Sequence, residues 1–163
     1  ADPRARRPRR PPPGMRRLSA RPTRLTRARL RPAAVAAAVA DPRRGAIASF
    51  VGVVRALHAG RRVRSVEYEA FLPLAEKELA RVVAEAERRW PVRAAAVHRL
   101  GLLRVGEASV VVAAGSVHRA EALAACRWTI DEIKRRLPVW KKERYASGPG
   151  RWLAGCALGR RAR

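Results

Sequence analysis

The sequence predicts an α+β fold: a mostly antiparallel sheet covered by two long helices. Three observations lead there. Leu74–Trp90 and His118–Arg136 carry apolar side chains at the 3–4 spacing of amphipathic helices. Val63–Phe71 alternates with the period of two that marks a half-buried strand. Each long helical segment follows a pair of β-rich segments, and helices laid on one face of an antiparallel sheet satisfy that order.

Pro32–Ala40 is a short Ala-rich helix, stopped by Asp41-Pro42. Ala46–Arg55 is rich in β-formers and reads as a buried strand. A turn with His58, Gly60 and nearby arginines follows. In Val63–Phe71 the alternation sets Val63, Ser65, Glu67 and Glu69 on one side, and Arg64, Val66, Tyr68 and Ala70 on the other. Leu79, Val82, Val83 and Ala86 form the stripe of the first long helix, which Pro91 ends. Val92–Leu103 and Ser109–Ala114 are strands of a hairpin joined by the turn Arg104–Glu107. The second long helix has the stripe Leu123, Cys126, Ile130, Ile133 and Leu137, with Ser116 as its expected cap. Pro138 cannot continue a helix interior, so the chain leaves it near Leu137. Trp140–Tyr145 is then extended, ahead of Gly148-Pro149-Gly150 and Trp152.

Of 163 residues, 48% are hydrophobic, enough for one buried core, and the net charge is +24. That charge is uneven. Residues 1–32 hold 12 arginines, one acid (Asp2) and seven of the 12 prolines. Segment 1–31 is therefore expected to be a disordered extension, self-repelling and with little to bury, and 32–163 the folded domain. Ala1-Asp2-Pro3 is expected to be foreign to the natural chain, with Met15 a candidate start. An Arg-rich, acid-poor leader also suits organelle targeting, but Pro11-Pro12-Pro13 would break the amphipathic helix such a leader needs. No apolar run approaches the roughly 18 residues of a membrane span. Two cysteines, Cys126 and Cys156, are too few for a disulfide scaffold. Cys126 falls on an apolar helix face as a structural thiol, and a reducing, cytoplasmic setting fits both. With no zinc-like Cys/His spacing and no glycine-rich phosphate loop, neither a metal nor a cofactor is expected.

The helix break at Pro138 carries the chemistry. Lys134 sits in the last helical turn, while Lys141 and Lys142 follow on a new segment beside Trp140. Two amines from two elements can thus converge on one pocket. Arg135, Arg136 and Lys142 are expected to press on them electrostatically. A lysine tuned down in that way serves as base or nucleophile, and one left charged steadies an anion. A solvated basic helix end favoured by the dipole is the plainer reading of the same run. His118-Arg119 opens the second long helix, where backbone N–H groups attract anions; a surface pair is the alternative. Arg55, after Gly52, Val53 and Val54, either points into a site or marks where a strand meets water. His98 reads as structural, and Glu67 and Glu69 as ion-pair partners for arginines.

Several pieces recur in a specific order. They are Gly45-Ala46, Phe50-Val51-Gly52-Val53-Val54-Arg55, Glu67-Tyr68-Glu69-Ala70-Phe71, His98-Arg99-Leu100-Gly101 and Val105-Gly106-Glu107. Ser116-Val117-His118-Arg119-Ala120-Glu121-Ala122, Asp131-Glu132-Ile133-Lys134, Pro138-Val139-Trp140-Lys141-Lys142-Glu143 and Gly150-Arg151-Trp152 complete the set. Over roughly residues 33–153 this resembles the large, catalytic subunit family of molybdopterin synthase. The resemblance implies an α/β hammerhead-type fold and a homodimer of large subunits within a heterotetramer. Each large subunit would bind a small ubiquitin-like sulfur carrier ending in a Gly-Gly thiocarboxylate. Sulfur would pass from that tail to cyclic pyranopterin monophosphate, two transfers making the dithiolene of molybdopterin for the molybdenum cofactor. The resemblance also implies roles: Lys134 and Lys141 match the family's catalytic pair, and Val53, Val54, Arg55, His118, Arg119, Lys142 and Glu143 match positions that line its substrate pocket. The extension at 1–31 has no counterpart in that pattern.

The rival class is a nucleic-acid-binding protein working through the Arg-rich arm. A pI near 11.9 fits phosphate binding. Against it, aromatic residues make up only 5%, and the helices carry acids as well as bases. Weak nonspecific affinity through the arm is what remains of that reading.

Overall fold

Strands and helices alternate largely as their periodicities require. The computed structural model describes residues 23–154. Its elements are β1 (Arg24–Thr26), α1 (Pro32–Ala38), β2 (Ala46–Val53), β3 (Leu57–His58), β4 (Arg61–Ala70) and α2 (Leu72–Arg89). Then come β5 (Val92–Arg99), β6 (Gly101–Arg104), β7 (Ala108–Ser116), α3 (Arg119–Arg136), β8 (Val139–Tyr145) and β9 (Arg151–Ala154). The class is α+β.

The strands divide between two sheets rather than forming one. The first has the order β1-β5-β7-β2, antiparallel except where β1 runs parallel to β5. Helices α2 and α3 lie on one face of it. Leu79, Val82, Val83 and Ala86 from α2 and Ala125, Cys126, Ile130 and Ile133 from α3 bury against Ala94, Ala96, Val110, Val112 and Ala114. Small residues on the strands let the helices sit close, and burying each large apolar side chain contributes about 1.5–3 kcal/mol. Helix α1 covers the opposite face, packing Val35 and Val39 with Leu30 on Ala95, Val97, Val111 and Ala113. The second sheet has the order β3-β4-β8-β9, with β6 also paired to β4.

Five local expectations give way. Residues 23–31, assigned to the extension, are in place: Arg24–Thr26 pairs with Val97–Arg99, and Leu25 and Leu30 are buried. The rest of the extension, and Cys156, lie outside the described residues. Val92–Leu103 is not one strand. Gly101 takes φ +87, a conformation open to glycine, and there the chain leaves the β5–β7 hairpin to pair with β4 as β6. A register shift between Val63 and Ser65 also breaks the predicted alternation, so Val63 and Val66 are both buried with Val54 and Leu103. Finally, Ser116 does not cap α3; its hydroxyl donates to the Pro91 carbonyl at 3.0 Å, and His118 is the cap residue. Leu123, placed on the buried stripe, is exposed.

Candidate functional site

Helix α3 ends over the junction of the two sheets. Leu137 already has extended dihedrals, its N–H closing the last turn on Ile133 O at 3.0 Å, and Pro138 then turns the chain into β8. Strand β8 pairs with β4, placing Lys141 opposite Tyr68. Alternation along β8 sends Val139, Lys141, Glu143 and Tyr145 to one face and Trp140, Lys142 and Arg144 to the other.

Three spaces lie in series around the two lysines. The central cavity, about 330 Å³, is lined by Tyr68, His98, Ser109 and Val110 below and by Ile133, Lys134, Val139 and Lys141 above and beside. Its size falls within the usual small-molecule range. Lys134 and Ile130 are shared with an open apolar groove of about 380 Å³ between α3 and β2, lined also by Phe50, Leu123 and Cys126. The Lys134 amine stands 5.6 Å from the Phe50 ring centroid. On the far side, Lys141 and Tyr68 are shared with a recess of about 60 Å³ lined by Val53, Val54, Arg55, His58 and Glu143. The turn after β6 sets this recess: Val54 N–H donates to Glu107 O at 3.0 Å, and Gly106 N–H to Val54 O at 2.8 Å. That grip fixes the backbone just before Arg55.

Glu143 is the buried charge of the site, with its side chain only 5% exposed. Lys141 Nζ donates to Oε1 at 3.0 Å, while Tyr145 OH at 2.9 Å and His58 Nδ1 at 2.7 Å bond Oε2. Burial pushes the Glu143 carboxyl up, but the bonds from Lys141, His58 and Tyr145 together outweigh it and hold the group below the usual carboxylate range. His98 forms the cavity floor, edge-on to Tyr68 with ring centroids 5.2 Å apart. Burial pushes its imidazole down to about 4, only partly offset by the bond to Arg99 O, so the ring is neutral at pH 7.

The cations expected to press on the two lysines are engaged elsewhere. Arg135 is paired with Glu132, and Arg136 with Glu78, Glu85 and Glu132. Lys142 faces away from the cavity, its amine 5.4 Å from the Trp152 ring centroid. The arrangement thus suits cations that receive anions better than a lysine neutralised by its neighbours.

Of the nine residues singled out in sequence, Lys134, Lys141, Val53, Val54, Arg55 and Glu143 line these connected spaces. Lys142 sits on the wrong face of β8. His118 and Arg119 are exposed at the start of α3, about 22 Å along the helix from Lys134. One chain does not bring that pair to the cavity. His58 was missed, because nothing in its turn sequence announces a bond to a residue 85 positions away. Among the described residues no three His, Cys, Asp or Glu side chains gather as a metal site requires.

The family described as MoaE protein matches residues 25–136. The molybdopterin synthase catalytic subunit of Bos taurus is 48% identical over 115 residues, covering 70% of this chain and 61% of that protein. Its counterpart from Synechococcus elongatus is 43% identical over 120 residues, covering 72% of this chain and 73% of that one. The crystal structure of molybdopterin synthase from Staphylococcus aureus aligns with a TM-score of 0.78 at 31% identity, covering 83% of this chain and 98% of that chain. This chain spans about three fifths of the length of the mammalian relatives it matches. Sequence and fold agree, and the chain belongs to the MoaE protein family.

Proposed function

We propose that this chain is the catalytic subunit of a molybdopterin synthase, passing sulfur from the thiocarboxylate tail of a small carrier protein to cyclic pyranopterin monophosphate. The observation that carries the reading is that Lys134 and Lys141, from two different elements, line one cavity. Both reactants are anions, and a cationic cavity with largely apolar walls lets them meet. The apolar groove that reaches Lys134 past Phe50 and Ile130 suits an extended Gly-Gly tail, narrow enough to lie between a helix and a strand. The central cavity suits the pterin, and Arg55 at the recess suits its phosphate, which guanidinium binds bidentately.

In this reading Lys134 faces the thiocarboxylate and steadies charge at its carbonyl carbon as sulfur departs. Lys141, held by Glu143, serves as acid/base on the pterin side chain. His118 and Arg119 enter the pocket from a second copy of the chain, because α3 keeps them from their own. Among the described residues no helix is long and apolar enough to cross a membrane. The unpaired thiol of Cys126 suits the reducing cytoplasm, where we place the enzyme.

The test is reconstitution with thiocarboxylated carrier and cyclic pterin, followed as dithiolene product. Lys134→Ala should abolish product and leave carrier affinity nearly unchanged. Full activity in that variant would remove the assignment.

A further inference from the structure

Three donors hold the buried Glu143 carboxylate, and two of them, Lys141 and Tyr145, are its neighbours two residues away on the same face of β8. The third, His58, arrives from β3. A tight turn brings it there: Ala59 at φ +48 and Gly60 at φ +74 reverse the chain so that His58 pairs with Arg61. Its ring is 34% exposed and lines the recess together with Arg55 and Lys141. The charged and titratable groups around it are Glu143, Tyr145 and Lys141 on β8, Arg55 after β2, and Arg61 on β4.

The two carboxylate oxygens of Glu143 are divided. Oε1 takes Lys141, and Oε2 takes His58 and Tyr145. A carboxylate pinned at one oxygen from a separate strand cannot rotate to follow the amine on the other. Without His58, only Tyr145 restrains Oε2, and that tyrosine ring also packs against the Arg61 guanidinium, 3.6 Å from its centroid. Both oxygens would then be available to Lys141, which would pair more tightly and turn from the central cavity toward the wall.

We infer that His58 is a positioning residue which, by anchoring Glu143, keeps the Lys141 amine directed into the central cavity. This rests on the reading of Lys141 as a group that works on the substrate. It is local to this turn and leaves the binding of the carrier tail, at the Lys134 end, untouched.

Two variants and two readouts test it. His58→Phe removes the donor, and His58→Gln restores one. In the reconstituted reaction at saturating carrier and pterin, His58→Phe should lower kcat about tenfold with little change in either KM, and His58→Gln should recover most of the loss. The second readout needs no substrate. The rate at which a small amine-acylating reagent modifies Lys141, followed by mass spectrometry, should fall about threefold in His58→Phe while exposed Lys77 is unaffected, because an amine paired more tightly with a carboxylate is less nucleophilic. Unchanged Lys141 labelling in His58→Phe, or equal kcat in all three proteins, would overturn the inference. If the wild-type chain makes no dithiolene but Lys141 labelling responds as described, the anchoring stands and the functional reading fails.

Discussion

Arg136 at the end of α3 forks onto Glu85 of α2, with Nη1 2.7 Å from one carboxylate oxygen and Nη2 3.0 Å from the other. The same guanidinium reaches Glu78 through Nε at 2.6 Å and Glu132 at 3.3 Å. Hydrogen bonds donated to Glu85 first, then to Glu78 and Glu132, raise the Arg136 pKa, and the same pairing lowers that of Glu85. Lys134 lies two residues before this clamp. The turn that presents the amine is therefore tied to the neighbouring helix by two carboxylates, Glu78 and Glu85, with Glu132 bracing it from within α3, where an unclamped helix end would fray.

Arg136→Ala should destabilise the fold by about 2 kcal/mol, since it leaves partly buried acids without their donor. A Tm lower by about 5–10 °C in a thermal melt is the expected outcome. Lys134→Ala, by contrast, removes an exposed side chain and should leave Tm nearly unchanged. Equal melting of Arg136→Ala and wild type would show that the clamp adds no stability.

His98 predicts how stability responds to mild acid. Its folded pKa is depressed from 6.5 to about 4, so between those values the unfolded chain binds a proton that the folded chain refuses. Stability from this group is complete above pH 6.5 and drains as pH falls, by roughly 2 kcal/mol at pH 5. The depressed carboxyls of Glu85, Glu107 and Glu132 act in a separate window: their contribution is intact above about 4.5 and is lost as pH falls through their lower folded values. Urea unfolding at pH 7 and pH 5 should therefore show a clear loss in the wild type and a much smaller one in His98→Gln. The same loss in both proteins would rule out the imidazole as its source.

Much of this was legible in the sequence because it is local. The stripe Leu79, Val82, Val83 and Ala86 announced α2, and Pro138 announced the turn that separates Lys134 from Lys141. What stayed hidden depends on partners distant in the chain. Leu25 and Leu30 look stranded among arginines until β5 and α1 supply their neighbours. The bulge that buries Val63 together with Val66 answers to β8, and a period of two cannot contain it. Lys142 was expected to press on the paired lysines and line the pocket, yet strand alternation sends it to the opposite face of β8 from Lys141. Charge runs likewise conceal who is paired: Arg135 and Arg136 read as free cations and are bound to acids.

Two glycines of different kinds make a further comparison. A Cβ on Gly115 would lie 2.4 Å from the Val39 carbonyl oxygen and 3.0 Å from Arg44 Cδ, so β7 and the end of α1 must separate. Gly101 has its φ of +87 but only the tip of Arg27 nearby, at 3.3 Å. Gly115→Ala should cost about 2–3 kcal/mol as overpacking, and Gly101→Ala about 1–2 kcal/mol as backbone strain. Urea midpoints measured side by side would check the order, and a Gly101→Ala variant less stable than Gly115→Ala would contradict it.

The placement of Arg119 yields the sharpest test of how the pocket is assembled. It stands about 22 Å along α3 from Lys134, too far for both to serve one cavity from one chain. If a second copy supplies Arg119, then Lys134→Ala and Arg119→Ala damage residues that meet only across chains. Each variant alone should be inactive. In a mixed dimer, one pocket takes its lysine from the Arg119→Ala chain and its arginine from the Lys134→Ala chain and is whole; the other pocket lacks both. Mixing the two inactive proteins under conditions that exchange subunits should therefore recover about a quarter of the wild-type sites, the share set by random pairing in a two-fold dimer. A doubly substituted chain mixed with wild type is the control: it gives dimers in which each pocket has lost one residue. If the two single variants recover nothing on mixing while exchange is shown to occur, Arg119 does not reach the cavity of a partner, and the His118–Arg119 pair drops out of the site.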